Sequence, residues 1–223
     1  MKQKSAVAKI NQKGILLVFP INNQKEPASL WSEFFPRTKM RWEWDDSGDN
    51  RVGELWGLMK KLSDSGQVVY SKWYQGRATF FSKELFTALL CLNQHYFSQP
   101  EVSRSARELL ECLESDSPLS TKELKKLTDL RGKDNEKFYN RGMKELFSKF
   151  LIVAYGEVDD GAFPSLAVGA TRNLYEDLFT DSQKLNSKAA QKIINQYLPQ
   201  GSMVRKFLDK QTSLRATKEL ENG

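Results

Sequence analysis

Four polar residues between positions 137 and 144 have the side-chain types that contact nucleic acid. Lys137, Arg141 and Lys144 are spaced to share one face of a helix, with Asn140 beside them. Arginine pairs with guanine edges, asparagine with adenine, and lysine with phosphate. The plainer alternative is a solvated amphipathic face of the kind most surface helices carry. Glu136 and Glu145 lie in the same stretch and would repel phosphate from any face they shared. A second constellation is aromatic: Trp31, Trp42, Trp44, Trp56 and Trp73 fall within 43 residues. In a strand Trp42 and Trp44 would share a face while Glu43 points away. Such a face, with carboxylates nearby, suits an extruded base, and Glu43 or Asp45 would then be the candidate general base. A tryptophan-rich core is the competing reading. Lys72 and the turn Gln75-Gly76-Arg77 suit a phosphate backbone, although a polar exposed turn has the same composition.

Metal and nucleophile chemistry are poorly served. His95 is the only histidine, four residues after Cys91, and two ligands do not make a zinc site. Cys91 and Cys112 both sit in apolar helical patterns, which predicts small core residues in a reducing cytoplasm rather than a disulfide. No phosphate-cradling glycine loop and no Gly-x-Ser-x-Gly occur. No cofactor and no metal are expected, and no run of 18 apolar residues would cross a membrane.

Charge placement bears on partners more than the net +6 does. Residues 102–181 carry 12 basic and 15 acidic side chains, net −3, whereas residues 182–223 carry 8 and 3, net +5. Affinity for DNA must therefore come from local patches and from the tail, through Lys184, Lys188, Lys192, Arg205, Lys206, Lys210 and Arg215. The acidic balance of 102–181 equally suits a protein-interaction module with a protein partner.

The elements that must position these residues follow from periodicity and turn chemistry. Residues 1–13 are polar and expected to be flexible. Residues 14–100 form a Trp-rich α/β unit: a strand at Ile15–Phe19, a short helix at Ala28–Phe35, a helix from Val52 to Leu62, and a hairpin turning at Gln75–Arg77. Ser82 is placed to cap the helix that follows. Residues 101–180 read helix, helix, helix, hairpin. The first helix is apolar at Ala106, Leu109, Leu110 and Leu113. The second has Ser120 and Glu123 at capping-box spacing, with Leu124 and Leu127 facing inward. The third, capped by Asp134 or Asn135, has its core stripe at Tyr139, Met143, Leu146 and Phe150. Strands at 151–155 and 163–168 flank an acidic tip, Asp159-Asp160-Gly161. Residues 181–223 form a basic helical segment. Helix-helix-helix-hairpin is the outline of a winged helix-turn-helix. Because Met59–Leu62 and Met143–Leu146 each feed a hairpin six residues later, two winged-helix-like units in tandem are expected. The fold class is α+β, mainly helical.

Ala28–Trp31, Trp42–Asp45, Leu55–Lys60, Val69–Lys72, Thr79–Ser82 and the later helical unit occur in an order that resembles the AlkZ-related bacterial proteins, small relatives of the AlkZ/YcaQ DNA glycosylase group. The resemblance spans roughly residues 15–180. It implies tandem winged helices and a DNA-associated, repair-related role with double-stranded DNA as partner. Glycosylases of that group handle the lesion with a Gln-x-Gln motif, and this chain has none. No catalytic residue is carried over, and the expectation is a DNA-binding protein, with a divergent glycosylase as the alternative.

Overall fold

A computed structural model describes residues 1–42, 49–158 and 164–221, with side chains through residue 212. Glu43, Trp44 and Asp45, and the hairpin tip at 159–161, lie outside the described residues, as does the side chain of Arg215. The architecture is α+β and mainly helical, with two small three-stranded antiparallel sheets.

The first run comprises α1 (Gln3–Lys13), β1 (Ile15–Leu17), α2 (Leu30–Phe34), α3 (Asn50–Asp64), β2 (Val69–Ser71) and β3 (Thr79–Phe81), with strand order β1-β3-β2. After α4 (Lys83–Leu92) and α5 (Gln94–Ser98), the same order recurs. It runs through α6 (Arg104–Ser115), β4 (Leu119–Ser120), α7 (Thr121–Leu127), α8 (Glu136–Ser148), β5 (Ile152–Val158) and β6 (Ser165–Ala170), with strand order β4-β6-β5. The chain then continues through α9 (Thr171–Leu174), α10 (Glu176–Lys184), α11 (Ser187–Tyr197) and α12 (Met203–Glu221).

Local chemistry sets most of the boundaries. Ser82 Oγ accepts from the Leu85 amide and starts α4. Ser120 and Glu123 close a reciprocal capping box at α7. A similar box joins Ser29 and Ser32 at α2. Two expectations are corrected. The segment 1–13 is not loose: it is helix α1, because Ala6 and Ile10, four apart, are both fully buried. Too narrow an apolar stripe hid this in a polar sequence. Leu127 does not face inward but is 61% exposed at the end of α7, where the short helix has turned away from the core.

Each of two hydrophobic cores draws on both runs. One joins Leu55, Leu62 and Phe80 to Leu109, Leu146 and Ile152. The other joins Trp73, Phe81 and Phe86 to Phe150, Val153 and Leu178. Gly142 lets α8 lie against α6. A Cβ there would stand 2.9 Å from Leu109 Cδ1 and 3.1 Å from the Ala106 backbone nitrogen, which cannot turn aside. Gly142→Ala is expected to destabilise the fold by about 1 kcal/mol net, since overpacking costs ~1–3 kcal/mol and the gain in helix propensity is ~1 kcal/mol. A lower denaturant midpoint at unchanged slope is the expected reading; a higher midpoint would contradict the tight crossing. Gly156 holds φ +78° where β5 shifts register, with Asp64 Oδ1 3.0 Å from where a Cβ would sit.

Candidate functional site

An open cleft of about 930 Å³ lies where α8, the turn after β2 and α12 meet. Its cationic side chains are Lys72, Lys144, Lys206 and Lys210, and no described lining residue is a carboxylate. Asn140, Gln75 and Gln211 add amides, while Trp73, Tyr74, Tyr139, Met143, Phe147 and Phe207 supply apolar and aromatic surface.

The floor is built by aromatic packing. Trp73 stacks on Phe150 at 5.5 Å and meets Phe207 edge-on at 4.9 Å, and Phe207 lies 4.7 Å from Tyr74. These contacts tie α12 to the turn after β2 and bring Lys206 and Lys210 opposite residues more than sixty positions earlier. Gln75 takes a positive φ of 53°, so the turn is tight. On α8 the buried side is Tyr139, Gly142, Met143, Leu146 and Phe147, which leaves Asn140 and Lys144 on adjacent turns toward the cleft.

Electrostatics favour an anion. Lys72 is half-buried, and burial pushes its pKa down against the upward pull of the Glu157 charge. A phosphate placed beside it would favour the ammonium form. Burial raises the pKa of Tyr139, keeping its phenol neutral and donating to the Thr121 carbonyl at 3.4 Å. The acids of α8 are turned elsewhere. Glu136 pairs with Lys125 at 3.3 Å. Glu145 accepts from Ser103 Oγ at 2.6 Å and pairs with Lys149 at 3.3 Å.

Burial works to raise the Glu145 pKa, but the Ser103 and Lys149 contacts outweigh it and hold the carboxyl below its ordinary 4.5. A pKa depressed in the folded state contributes stability above the unfolded value, and that contribution is lost as pH falls through the folded value. Glu145→Gln is therefore expected to lower the melting temperature near neutrality. The gap to the native protein should close as the pH falls below the ordinary 4.5 and through the lowered folded-state value. A gap independent of pH would contradict the ion-pair account.

Among the residues singled out from sequence, the cleft gathers Lys72, Gln75, Asn140, Lys144, Lys206 and Lys210, with Trp73 in its floor. Arg77 is exposed one residue beyond the lining, and Lys137 and Arg141 are exposed on α8 outside it. Lys137 lies over the Phe138 ring at 4.9 Å. Trp42 is 39% exposed against Phe19, and its proposed partners Trp44 and Glu43 lie outside the described residues. Trp31 and Trp73 are core residues, as a tryptophan-rich core requires, whereas Trp56 is 48% exposed. Within the basic tail, Arg205 is buried and bonded to Asp209, Asn195 and the Leu198 carbonyl, so it braces α12. Lys184 pairs with Asp181. Sequence reasoning missed the aromatic floor and the return of α12 across it. The only signal was the basic spacing of Lys206 and Lys210. Cys91 and Cys112 are both free thiols, and Cys91 donates to the Leu185 carbonyl.

Fold and cleft together define an α+β protein with two like-ordered helical runs and a lysine-rimmed, aromatic-floored groove. The chain belongs to the AlkZ-related family, whose model matches residues 1–210. Relation to AlkZ suggests a DNA-repair-related, glycosylase-like group. No curated protein and no solved structure matches the chain. Among the described residues, no helix is long and apolar enough to cross a membrane.

Proposed function

We propose that this is a DNA-binding protein of tandem winged-helix type, and that the cleft between α8, the turn after β2 and α12 holds the duplex backbone. The observation that carries the proposal is the convergence of Lys72, Lys144, Lys206 and Lys210 on a groove whose described lining has no carboxylate. Four such cations neutralise phosphates and release condensed counterions, which gives sequence-independent affinity with a steep salt dependence. Asn140 beside Lys144 adds an amide able to pair with an adenine edge. Arg77, Lys137 and Arg141, exposed around the cleft, reach neighbouring phosphates. The repeated helix-strand-helix-helix-strand-strand order supports the tandem winged-helix reading, with α8 as recognition helix of the second unit.

Fluorescence anisotropy of a labelled duplex between about 50 and 200 mM salt tests the proposal: log affinity should fall linearly with log salt, with a slope set by the phosphates contacted. No retention at low salt, together with a co-purifying protein partner, would assign the module to protein interaction instead. A glycosylase-like activity is favoured by one further observation, the aromatic floor of Trp73, Tyr74 and Phe207, together with family membership. It requires release of a free base from a lesion-bearing duplex, and none released across a lesion panel would reject it.

A further inference from the structure

Away from the cleft, a pocket of about 590 Å³ is lined chiefly by Arg37, Thr38, Lys39, Arg41, Asp49 and Arg51. Its wall is held firmly. Trp31 Nε1 donates to the Thr38 carbonyl at 2.9 Å. The Asn23 side chain bonds both the amide and the carbonyl of buried Met40, at 2.7 and 3.1 Å. Arg51 is committed, gripping Asp49 through two bonds of 2.7 and 2.6 Å and lying over the Trp31 and Phe35 rings. That pair neutralises itself, so among the described lining residues Arg37, Lys39 and Arg41 supply the net positive charge, all three exposed.

The next residue after Arg41 is Trp42. Its ring lies 5.4 Å from Phe19, and Phe19 stacks at 6.2 Å on Trp56 of α3. Trp42 is 39% and Trp56 48% exposed, unusual for the largest side chain. Trp56 is five residues along α3 from Arg51, a rise of about 7.5 Å, so rings and pocket fall within the span of a short oligonucleotide. Helix α3 also holds the place in the first run that α8 holds in the second.

We propose that this surface is a second nucleic-acid site, specific for single-stranded DNA. The pocket of Arg37, Lys39 and Arg41 takes a backbone phosphate, and Trp42, Phe19 and Trp56 present the face on which unpaired bases stack. Fixed cations beside exposed rings match a strand whose bases are free; in a duplex those π-faces are already covered by neighbouring pairs. The inference does not depend on the cleft reading.

The probe is a labelled oligodeoxythymidylate of about ten nucleotides, within the site sizes known for single-strand binders, followed by anisotropy and tryptophan quenching. The double variants Arg37→Ala/Arg41→Ala and Trp42→Leu/Trp56→Leu are each expected to weaken its binding about tenfold or more, with the tryptophan pair also removing the quench. Both pairs are exposed, so unchanged melting temperatures establish that the fold is intact. A cleft variant, Lys144→Ala/Lys206→Ala, is expected to leave oligothymidylate binding unchanged, which separates this site from the duplex cleft. Oligothymidylate binding that survives both pocket variants, or that is lost only in the cleft variant, overturns the proposal. So does binding of an equal-length duplex that is tighter than the single strand and lost with the same pocket residues.

Discussion

Lys144→Ala/Lys206→Ala is expected to bind duplex DNA on the order of tenfold more weakly than the native protein near 150 mM salt, with a log–log salt slope shallower by about two. The two residues come from α8 and α12, face each other across the cleft, and have no carboxylate among its described lining. Each lysine removed is one phosphate left unneutralised, and each phosphate contributes about 0.9 to the slope. The control is an equal loss of charge elsewhere. Lys184→Ala/Lys188→Ala removes two exposed cations from α10 and α11, outside the cleft lining. It is expected to change affinity by no more than about twofold, because charges beyond about a Debye length of the strand are screened. Equal losses in the two double variants would mean that net charge, not the cleft, drives binding.

Trp73→Ala is expected to cost about 3–5 kcal/mol of stability. Trp73 is 2% exposed and meets Tyr74, Phe81, Phe150 and Phe207 at ring distances from 4.9 to 6.2 Å. Phe81 belongs to the first run, Phe150 lies just past α8 in the second, and Phe207 belongs to α12. Truncation thus opens a cavity where three parts of the chain meet, and neighbours anchored on different elements cannot collapse together to fill it. The melting temperature should fall by roughly 10 °C for a chain of this size. Trp73→Phe should cost much less, because it keeps a ring in the stack and removes an indole N–H that has no hydrogen-bond partner. A loss below about 0.5 kcal/mol for the alanine variant, the level of an ordinary surface change, would refute this junction.

The consequences for binding are linked. If the junction fails, α12 loses its anchor on Tyr74 and Trp73, and Lys206 and Lys210 no longer face Lys144. A Trp73→Ala protein that remains folded at low temperature should therefore bind duplex about as weakly as the lysine double variant.

Some of this was legible in the chain and some was not. The capping box of Ser120 and Glu123, the cap at Ser82 and the stripe Tyr139–Met143–Leu146 involve residues within a few turns of each other, and the structure has them as the spacing requires. Phe150 is buried but lies past the end of α8, at a positive φ of 59°, and packs in the other core. Helix α1 was missed because two buried residues, Ala6 and Ile10, are too weak a signal against polar neighbours. Leu127 was misplaced because periodicity does not register where a seven-residue helix ends its contact with the core. The basic face of α8 was visible as a set, yet only Asn140 and Lys144 of that set line the cleft.

By itself the sequence determined many of the local elements, the repeated helix-to-hairpin order and the residue types available for phosphate and base contact, because hydrogen-bonded caps and apolar periodicity act over short separations. Only the tertiary structure decided which cations act together. Lys72, Lys144 and Lys206 share a groove because Trp73 packs at once on Phe150 and Phe207. It also decided which tryptophans are spent in the core and which face solvent. Burial depends on what a distant part of the chain brings to the other side of each ring.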